Sequence, residues 1–130
     1  PGFNSNLVLN IDVAPTILEM AGIEKQDNMH GKSIAGILKG NNAFNRDAFV
    51  YEGLGNYGGA LPNLTVVSKE YRYIVTYEDE SLQKVQYREL YNKIDDFDEM
   101  DNLINNVENI SIVKHLQKLV DDHKMNVLIH

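Results

Sequence analysis

The sequence predicts an α+β protein with N-terminal helices, a roughly four-stranded antiparallel meander and a covering C-terminal helix. The first observation is that apolar residues recur with helical spacing near both ends of the chain. The second is that residues 48–91 contain four short runs rich in β-branched and aromatic residues, without a helical pattern between them. Strands joined by such short links pair antiparallel.

The first helix is predicted over Asp12–Ala21. Asn10 or Asp12 supplies a side-chain oxygen that can cap free N–H groups. Pro15 falls in the first turn, where its missing N–H costs little. Gly22 suits the left-handed position after a helix. The predicted apolar stripe consists of Ala14, Ile17, Leu18 and Ala21.

The remaining elements are predicted from the same helical spacing and strand-like runs of residues. A short helix is predicted over Ser33–Lys39, and residues 98–105 are expected to form a short helix or a turn. Asp96 or Asp98 would cap the helix that follows, which extends to about Lys124. The predicted strands are Ala48–Tyr51, Leu64–Val67, Tyr71–Tyr77 and Val85–Tyr91. The predicted inner face of the last helix is Val107, Ile110, Val113, Leu116, Leu119 and Val120. The tail 127–129 is expected to add an edge strand or to pack on this helix.

Composition restricts the function. The 130 residues are 43% hydrophobic and 24% charged, with a net charge of −7, which argues against non-specific nucleic-acid binding. The chain has no cysteine, so disulfides, thiolate metal sites and cysteine nucleophiles are excluded from it. No apolar stretch approaches the length of a membrane span. The chain opens at Pro1 without Met or a signal-peptide pattern, and we expect it to be a piece of a longer protein.

Four motifs occur in an order that resembles the C-terminal region of sulfatases, in the alkaline-phosphatase-like superfamily. They are Asp12-Val13-Ala14-Pro15-Thr16; Gly31-Lys32-Ser33-Ile34; Tyr71-Arg72-Tyr73-Ile74; and Glu89-Leu90-Tyr91-Asn92 followed by Asp96-Phe97-Asp98-Glu99 and Asn102-Leu103. Asn92 and Phe97 depart from the Asp and Pro usual in the family, and both positions concern turn chemistry. The resemblance implies that residues 1–46 end a catalytic-domain region and that residues 47–130 form the C-terminal subdomain.

The family resemblance also implies a function for the parent protein. Sulfatases hydrolyse sulfate esters with a formylglycine, matured from Cys or Ser in a C/S-x-P-x-R motif, and a calcium ion. No serine of this chain stands in that motif, so no catalytic or metal-binding residue is assigned to it. The resemblance therefore places formylglycine and calcium in a catalytic core before Pro1. We expect that core to be the partner of this chain, and the parent's substrate to be a sulfated carbohydrate. A periplasmic or secreted parent is the corresponding expectation, although the sequence itself does not fix the compartment.

One loop is a candidate for contact with substrate. Residues 52–62 contain four glycines, which allow the backbone to approach a ligand closely. Tyr57 could stack on a sugar ring, while Glu52 and Asn56 could bind hydroxyl groups. The alternative is an ordinary surface connection between strands, which is the commoner role of such loops.

Other candidate groups have simpler explanations. His30 and Lys32 could contact a sulfate, but a turn before a helix explains them, and no second metal ligand accompanies His30. The carboxylates of residues 95–101 lack the spacing of a calcium loop and suit a solvated turn. Tyr71, Tyr73 and Tyr77 share one strand face and suit core packing. His115 and His123 are predicted to be surface residues of the last helix.

Two further functions remain open at this stage. The first alternative is that the parent is a related phosphoester or phosphonate hydrolase, since the nucleophile that separates the two classes lies outside this chain. Alternatively, the chain is a free-standing α+β interaction or sugar-binding module. Such a module would be monomeric, whereas a subdomain separated from its parent would expose the stripe of the first helix and self-associate.

Overall fold

The computed structural model describes residues 4–41, 44–55 and 59–128, with side chains as far as Asn126. Tertiary contacts divide the chain into two compact units, Pro1–Asp47 and Ala48–His130. Two helices belong to the first unit, and a four-stranded antiparallel sheet with a long helix belongs to the second. The predicted α+β class is therefore confirmed.

The first unit begins its helical part with a 3-10 turn at Asn10–Asp12, which continues into α1 (Val13–Met20). Pro15 lies in the first turn, as predicted. The helix ends as the sequence indicates, because Gly22 has a φ of 71° and the amide of Ile23 donates to the carbonyl of Leu18 at 2.9 Å. The second helix, α2, spans Ala35–Leu38 and is shorter than predicted.

The apolar stripe predicted on α1 is mostly exposed, as the sequence predicts for a subdomain separated from its parent. The buried residues of α1 are Pro15 and Thr16, whereas Ala14 and Ala21 are exposed and Leu18 is half-buried. Ile17 is 60% exposed. The reason is that this unit packs α1 around polar groups, so the covered face passes through Thr16. Periodicity locates an apolar stripe but does not show which neighbour covers it.

The second unit is built on strands β1 (Ala48–Gly53), β2 (Asn63–Ser68), β3 (Tyr71–Tyr77) and β4 (Val85–Asn92). They pair antiparallel in sequence order, as the predicted meander requires. The connection between β2 and β3 is a tight hairpin, and the Ser68 hydroxyl fixes it by accepting from the amide of Tyr71 at 2.8 Å. All four strands lie where the runs of β-branched and aromatic residues predicted them.

The third helix, α3 (Ile110–His123), packs on one face of this sheet, which we call the inner face. The buried core comprises Leu64, Val66, Tyr73, Val75, Tyr77, Leu82, Leu90, Leu116 and Val120. The predicted packing role of the tyrosines is confirmed, and the Tyr73 hydroxyl donates to Gln117 on α3 at 2.7 Å. In the ranges that the structure describes, no helix is long and apolar enough to cross a membrane.

The C-terminal part agrees with the prediction in some places and departs from it in others. Residues 98–105 form turns, which was one of the two predicted alternatives, but the cap of the 3-10 turn before α3 is Asn106, whose side chain accepts from the amide of Glu108, rather than Asp96 or Asp98. Val107 and Ile110 are 76% and 51% exposed, because a 3-10 turn at Val107–Asn109 precedes α3 and changes the angular spacing of side chains. The tail continues as a π-helical turn, Lys124–Leu128, instead of a strand. Ile129 lies outside the described residues.

Candidate functional site

The first unit is organised around the buried carboxylate of Asp12, which is fully inaccessible to solvent. Arg46 donates to it in a bidentate pair, with Nη1 at 2.6 Å from Oδ2 and Nη2 at 2.8 Å from Oδ1. The amides of Leu9 and Lys32 each donate to it at 2.8 Å. The sequence offered Asp12 as one candidate cap of α1, but its side chain makes no capping hydrogen bond to that helix. It instead connects three segments of the chain.

The electrostatics of this pair favour the charged state of both groups. Hydrogen bonding from Arg46 lowers the pKa of Asp12 to about 2, although burial alone would raise it. The same bond raises the pKa of Arg46. The guanidinium also donates to the carbonyl of Leu7 at 3.0 Å and lies 5.5 Å from the ring centre of Phe44. Since both charges are paired and hydrogen-bonded, the burial is tolerated. Because the carboxylate of Asp12 is buried and accepts hydrogen bonds from groups of the protein, it is not placed to exchange a proton with a ligand.

Thr16 and Gly31 place the turn that contains His30 and Lys32. The Thr16 hydroxyl donates to the carbonyl of Asp12 at 2.5 Å and accepts from the amide of Ile34 at 3.0 Å. A Cβ on Gly31 would lie 2.0 Å from the carbonyl oxygen of Ile11, so only glycine fits there. The backbone amide of Lys32 donates to the carboxylate of Asp12, and His30 is exposed. This geometry agrees with the interpretation of the segment as a turn before a helix.

Of the three predicted substrate-proximal residues, the structure describes only Glu52. Glu52 is the last residue but one of β1, next to the glycine-rich loop. Its Oε1 is 2.7 Å from Nε2 of His123 at the end of α3. The two side chains are 32% and 17% exposed, so His123 is not the surface residue that the sequence predicted. Asn56 and Tyr57 lie outside the described residues. Glu52 is therefore positioned by a partner rather than being fully available to a ligand.

The acidic loop after β4 uses its carboxylates within the protein. Asp96 accepts from the amide of Asp101 at 2.9 Å, which is the main cause of its lowered pKa. Glu99 pairs with Arg72 on β3 at 2.6 Å. Across the described residues, no three His, Cys, Asp or Glu side chains are grouped to hold a metal ion. These residues do not fit the calcium ion of the sulfatase family, so we assign it no ligand here.

The last motif has a structural explanation at the free edge of β4. The Asn102 side chain accepts from the amide of Leu90 at 3.1 Å, and the amide of Leu103 donates to the carbonyl of Leu90 at 2.8 Å. Asn92 accepts from the amide of Ile94 at 2.9 Å, a bond that the more usual Asp could also make. The motif thus fixes a turn that returns to cover its own strand, and Asn92 preserves that turn.

Sequence reasoning missed the partners in both polar arrangements. Arg46 lies 34 positions from Asp12 in a predicted loop, and His123 lies 71 positions from Glu52. Pairing over such separations depends on tertiary structure, which periodicity does not report.

The fold and these motifs define the C-terminal portion of a sulfatase-type protein. The sequence model of the family described as N-sulphoglucosamine sulphohydrolase, C-terminal, matches residues 2–126, and the chain belongs to this family. The predicted membership of the sulfatases is therefore confirmed.

Solved structures agree with this assignment. A putative sulfatase from Bacteroides thetaiotaomicron is 26% identical with a TM-score of 0.74, and the match covers 88% of this chain and 24% of that one. A 2-O GAG sulfatase is also 26% identical, with a TM-score of 0.73 and the same coverage. The phosphonate monoester hydrolase of Agrobacterium radiobacter shares the fold at 17% identity and a TM-score of 0.63, covering 86% of this chain and 24% of that one. The chain thus spans about a quarter of the length of these proteins.

Proposed function

We propose that this chain is the C-terminal part of an enzyme that hydrolyses sulfate esters of carbohydrates. The observation that carries the proposal is the family match over residues 2–126. The alignment with about a quarter of two sulfatase chains supports it. The carbohydrate substrate is supported by the name of the family, which refers to a sulfated glucosamine, and by the GAG sulfatase among the similar structures.

In this proposal, the formylglycine and calcium belong to a preceding catalytic domain, and residues 1–46 are the end of that domain. Residues 47–130 form a structural subdomain that borders the substrate cleft. The absence of cysteine and of a C/S-x-P-x-R motif in this chain is consistent with that division of roles. The chain alone should then have no hydrolytic activity.

The test is expression of the whole gene product beside the 130-residue chain, with turnover measured on an aryl sulfate, a sulfated disaccharide and an aryl phosphonate. We expect only the whole protein to act, and to prefer the sulfates by a large factor in kcat/KM. A preference for the phosphonate would instead favour the related phosphonate hydrolases, whose fold is shared. Turnover of the aryl sulfate by the 130-residue chain alone would overturn the proposed division.

We further propose that the loop after β1 borders the cleft, with Glu52, Asn56 and Tyr57 near the substrate. The support is the pairing of Glu52 with His123, which fixes the start of a loop with several glycines. In the whole enzyme, Glu52→Gln should raise KM for the sulfated disaccharide and change kcat little, since it alters binding rather than chemistry. The control is Glu80→Gln in the exposed turn before β4, which removes the same charge. An unchanged KM in Glu52→Gln would contradict this role.

A further inference from the structure

A groove of about 420 Å³ lies between the edge strand β4 and α3, and basic side chains surround it. Arg88 lines it from β4, while Lys114 and Lys118 line it from successive turns of α3. All three residues are exposed. The acidic residue of the lining is Asp121, so three cations face one carboxylate in a chain whose net charge is −7.

The cations of this groove have no carboxylate partner in the described part of the chain. Elsewhere in the second unit, Arg72 and Lys84 each form an ion pair with a glutamate. The ammonium groups of Lys93 and Lys124 donate to backbone carbonyls. None of the ion pairs among the described residues includes a cation of the groove. The positive charge is therefore available to an anion from outside the unit.

A hydrogen-bond network positions Arg88 beside the groove. Oε1 of Gln117 accepts from Nε of Arg88 at 3.2 Å and from the hydroxyl of Tyr73 at 2.7 Å. Burial raises the pKa of Tyr73, so its hydroxyl keeps the proton that it donates. The amide of Gln117 donates to Asp121 at 2.9 Å, which engages that carboxylate as well. A guanidinium that is oriented before a ligand arrives loses less conformational freedom on binding.

The chemistry of the groove favours a ligand that carries several anionic groups. A guanidinium forms bidentate hydrogen bonds to oxyanions, and an ammonium binds them as a point charge. One exposed ion pair contributes little by itself, so a ligand must engage more than one cation at once. Lys114 and Lys118 lie about 6 Å apart along the helix axis, and successive charges of one chain can reach them together.

We propose that the groove formed by Arg88, Lys114 and Lys118 is a secondary binding site for an extended anionic carbohydrate, whose sulfate or carboxylate groups the three cations bind. The choice of a carbohydrate rests on the proposed function. Strands β4 and β1 are opposite edges of the sheet, about 14 Å apart, so the groove is separate from the loop proposed to border the cleft. The site therefore adds affinity for a long chain and not for a disaccharide.

The test measures the binding of a heparin decasaccharide to the whole gene product by calorimetry at several salt concentrations. Lys114→Gln combined with Lys118→Gln should raise the Kd at least about fivefold, since two charge contacts are lost. The salt dependence of the Kd should also decrease, because fewer counterions are released. The control is Lys25→Gln combined with Lys39→Gln, which removes the same charge at exposed positions of the first unit and should leave the Kd unchanged. In both variants kcat/KM for a sulfated disaccharide should stay the same.

A second variant has the opposite expected effect. Asp121→Asn removes the negative charge of the groove, while its amide oxygen can still accept from Gln117. The Kd for the decasaccharide should fall at least about twofold, because a repelling charge is lost. Asp27→Asn, in an exposed turn of the first unit, is the matched control and should not change the Kd. A gain of affinity cannot result from misfolding.

An unchanged Kd in the double lysine variant would overturn the inference, as would an equal loss in its control. A loss without a gain in Asp121→Asn would indicate a structural effect and also overturn it. A DNA duplex that binds as tightly and loses affinity in the same variant would assign the groove to nucleic acid instead. Binding is measured without turnover, so a protein that binds through the groove but hydrolyses no sulfate ester contradicts the proposed function and leaves the site standing. Hydrolysis with unchanged binding in the lysine variant has the opposite meaning.

Discussion

At the scale of single residues, Asp12 is the group on which the first unit depends. Asp12→Asn should destabilise that unit by about 3–5 kcal/mol, because it removes the charge that compensates the buried Arg46. The loss of stability should appear in urea unfolding that is monitored by the hydrogen exchange of backbone amides within residues 4–41. Asp47→Asn is the matched control, since Asp47 is exposed and its removal leaves no buried cation. Equal stability of the two variants would show that the buried pair contributes little.

The same carboxylate predicts how the stability of the first unit depends on pH. The pKa of Asp12 falls from its ordinary value of 3.8 to about 2 in the folded protein, so the charged form is the one that folding favours. The contribution, about 2 kcal/mol, is present above pH 3.8 and is lost as the pH falls towards 2. Denaturation of the chain and of Asp12→Asn between pH 5 and about 2 measures it. The stability difference between the two should narrow over this window, and a constant difference would contradict the linkage.

Gly31 gives a prediction with a steric cause. Gly31→Ala should destabilise the first unit by roughly 1–3 kcal/mol, because the new Cβ would lie 2.0 Å from the Ile11 carbonyl oxygen and force the backbone to move. Gly36→Ala is the control within α2, where the Cβ would meet its nearest neighbour at an ordinary 3.9 Å. Thermal unfolding of both variants measures the effect. Destabilisation in Gly36→Ala alone would be inconsistent with the packing described.

At the scale of elements, the contact between Glu52 and His123 links β1 to the end of α3. His123→Ala should loosen the last turn of α3, since the 2.7 Å bond between partly buried groups is lost. Hydrogen exchange of amides 120–124 should become faster, with a loss of about 1 kcal/mol in their protection. His115→Ala is the control because His115 is exposed on the same helix. If the two variants exchange alike, the link does not hold the helix end.

The elements also show what could be predicted from the sequence. Strands β1 to β4 were predicted from their runs of β-branched and aromatic residues, and Gly22 because a left-handed position favours glycine. The burial of Thr16 on α1 was not predicted, since it depends on polar neighbours, and the start of α3 was predicted wrongly because a 3-10 turn precedes the helix. The substrate-proximal role stays a prediction for Glu52, Asn56 and Tyr57. Nothing in the sequence indicated the contact between Glu52 and His123, because the two residues become adjacent only in the folded sheet and helix.

At the scale of the whole molecule, apolar surface remains open on both units when each is considered by itself. In the first unit, Val13, Ile17 and Met20 on α1 are 53%, 60% and 62% exposed. In the second, Tyr51 and Phe97 are 61% and 88% exposed. A free-standing module has no reason to leave such surfaces uncovered, because they promote association in water.

Because of these exposed apolar residues, we predict that the 130-residue chain self-associates and that the association depends on the exposed residues of α1. Light scattering over a concentration series should show species larger than 14.8 kDa. Ile17→Glu combined with Met20→Glu should shift the distribution towards monomer, since two charges replace exposed apolar side chains of α1. The control is Val107→Glu combined with Ile110→Glu, which adds the same charge at exposed apolar positions of the second unit. An equal shift in both variants would indicate a general effect of net charge, and a wild-type chain that stays monomeric would instead support a self-sufficient module.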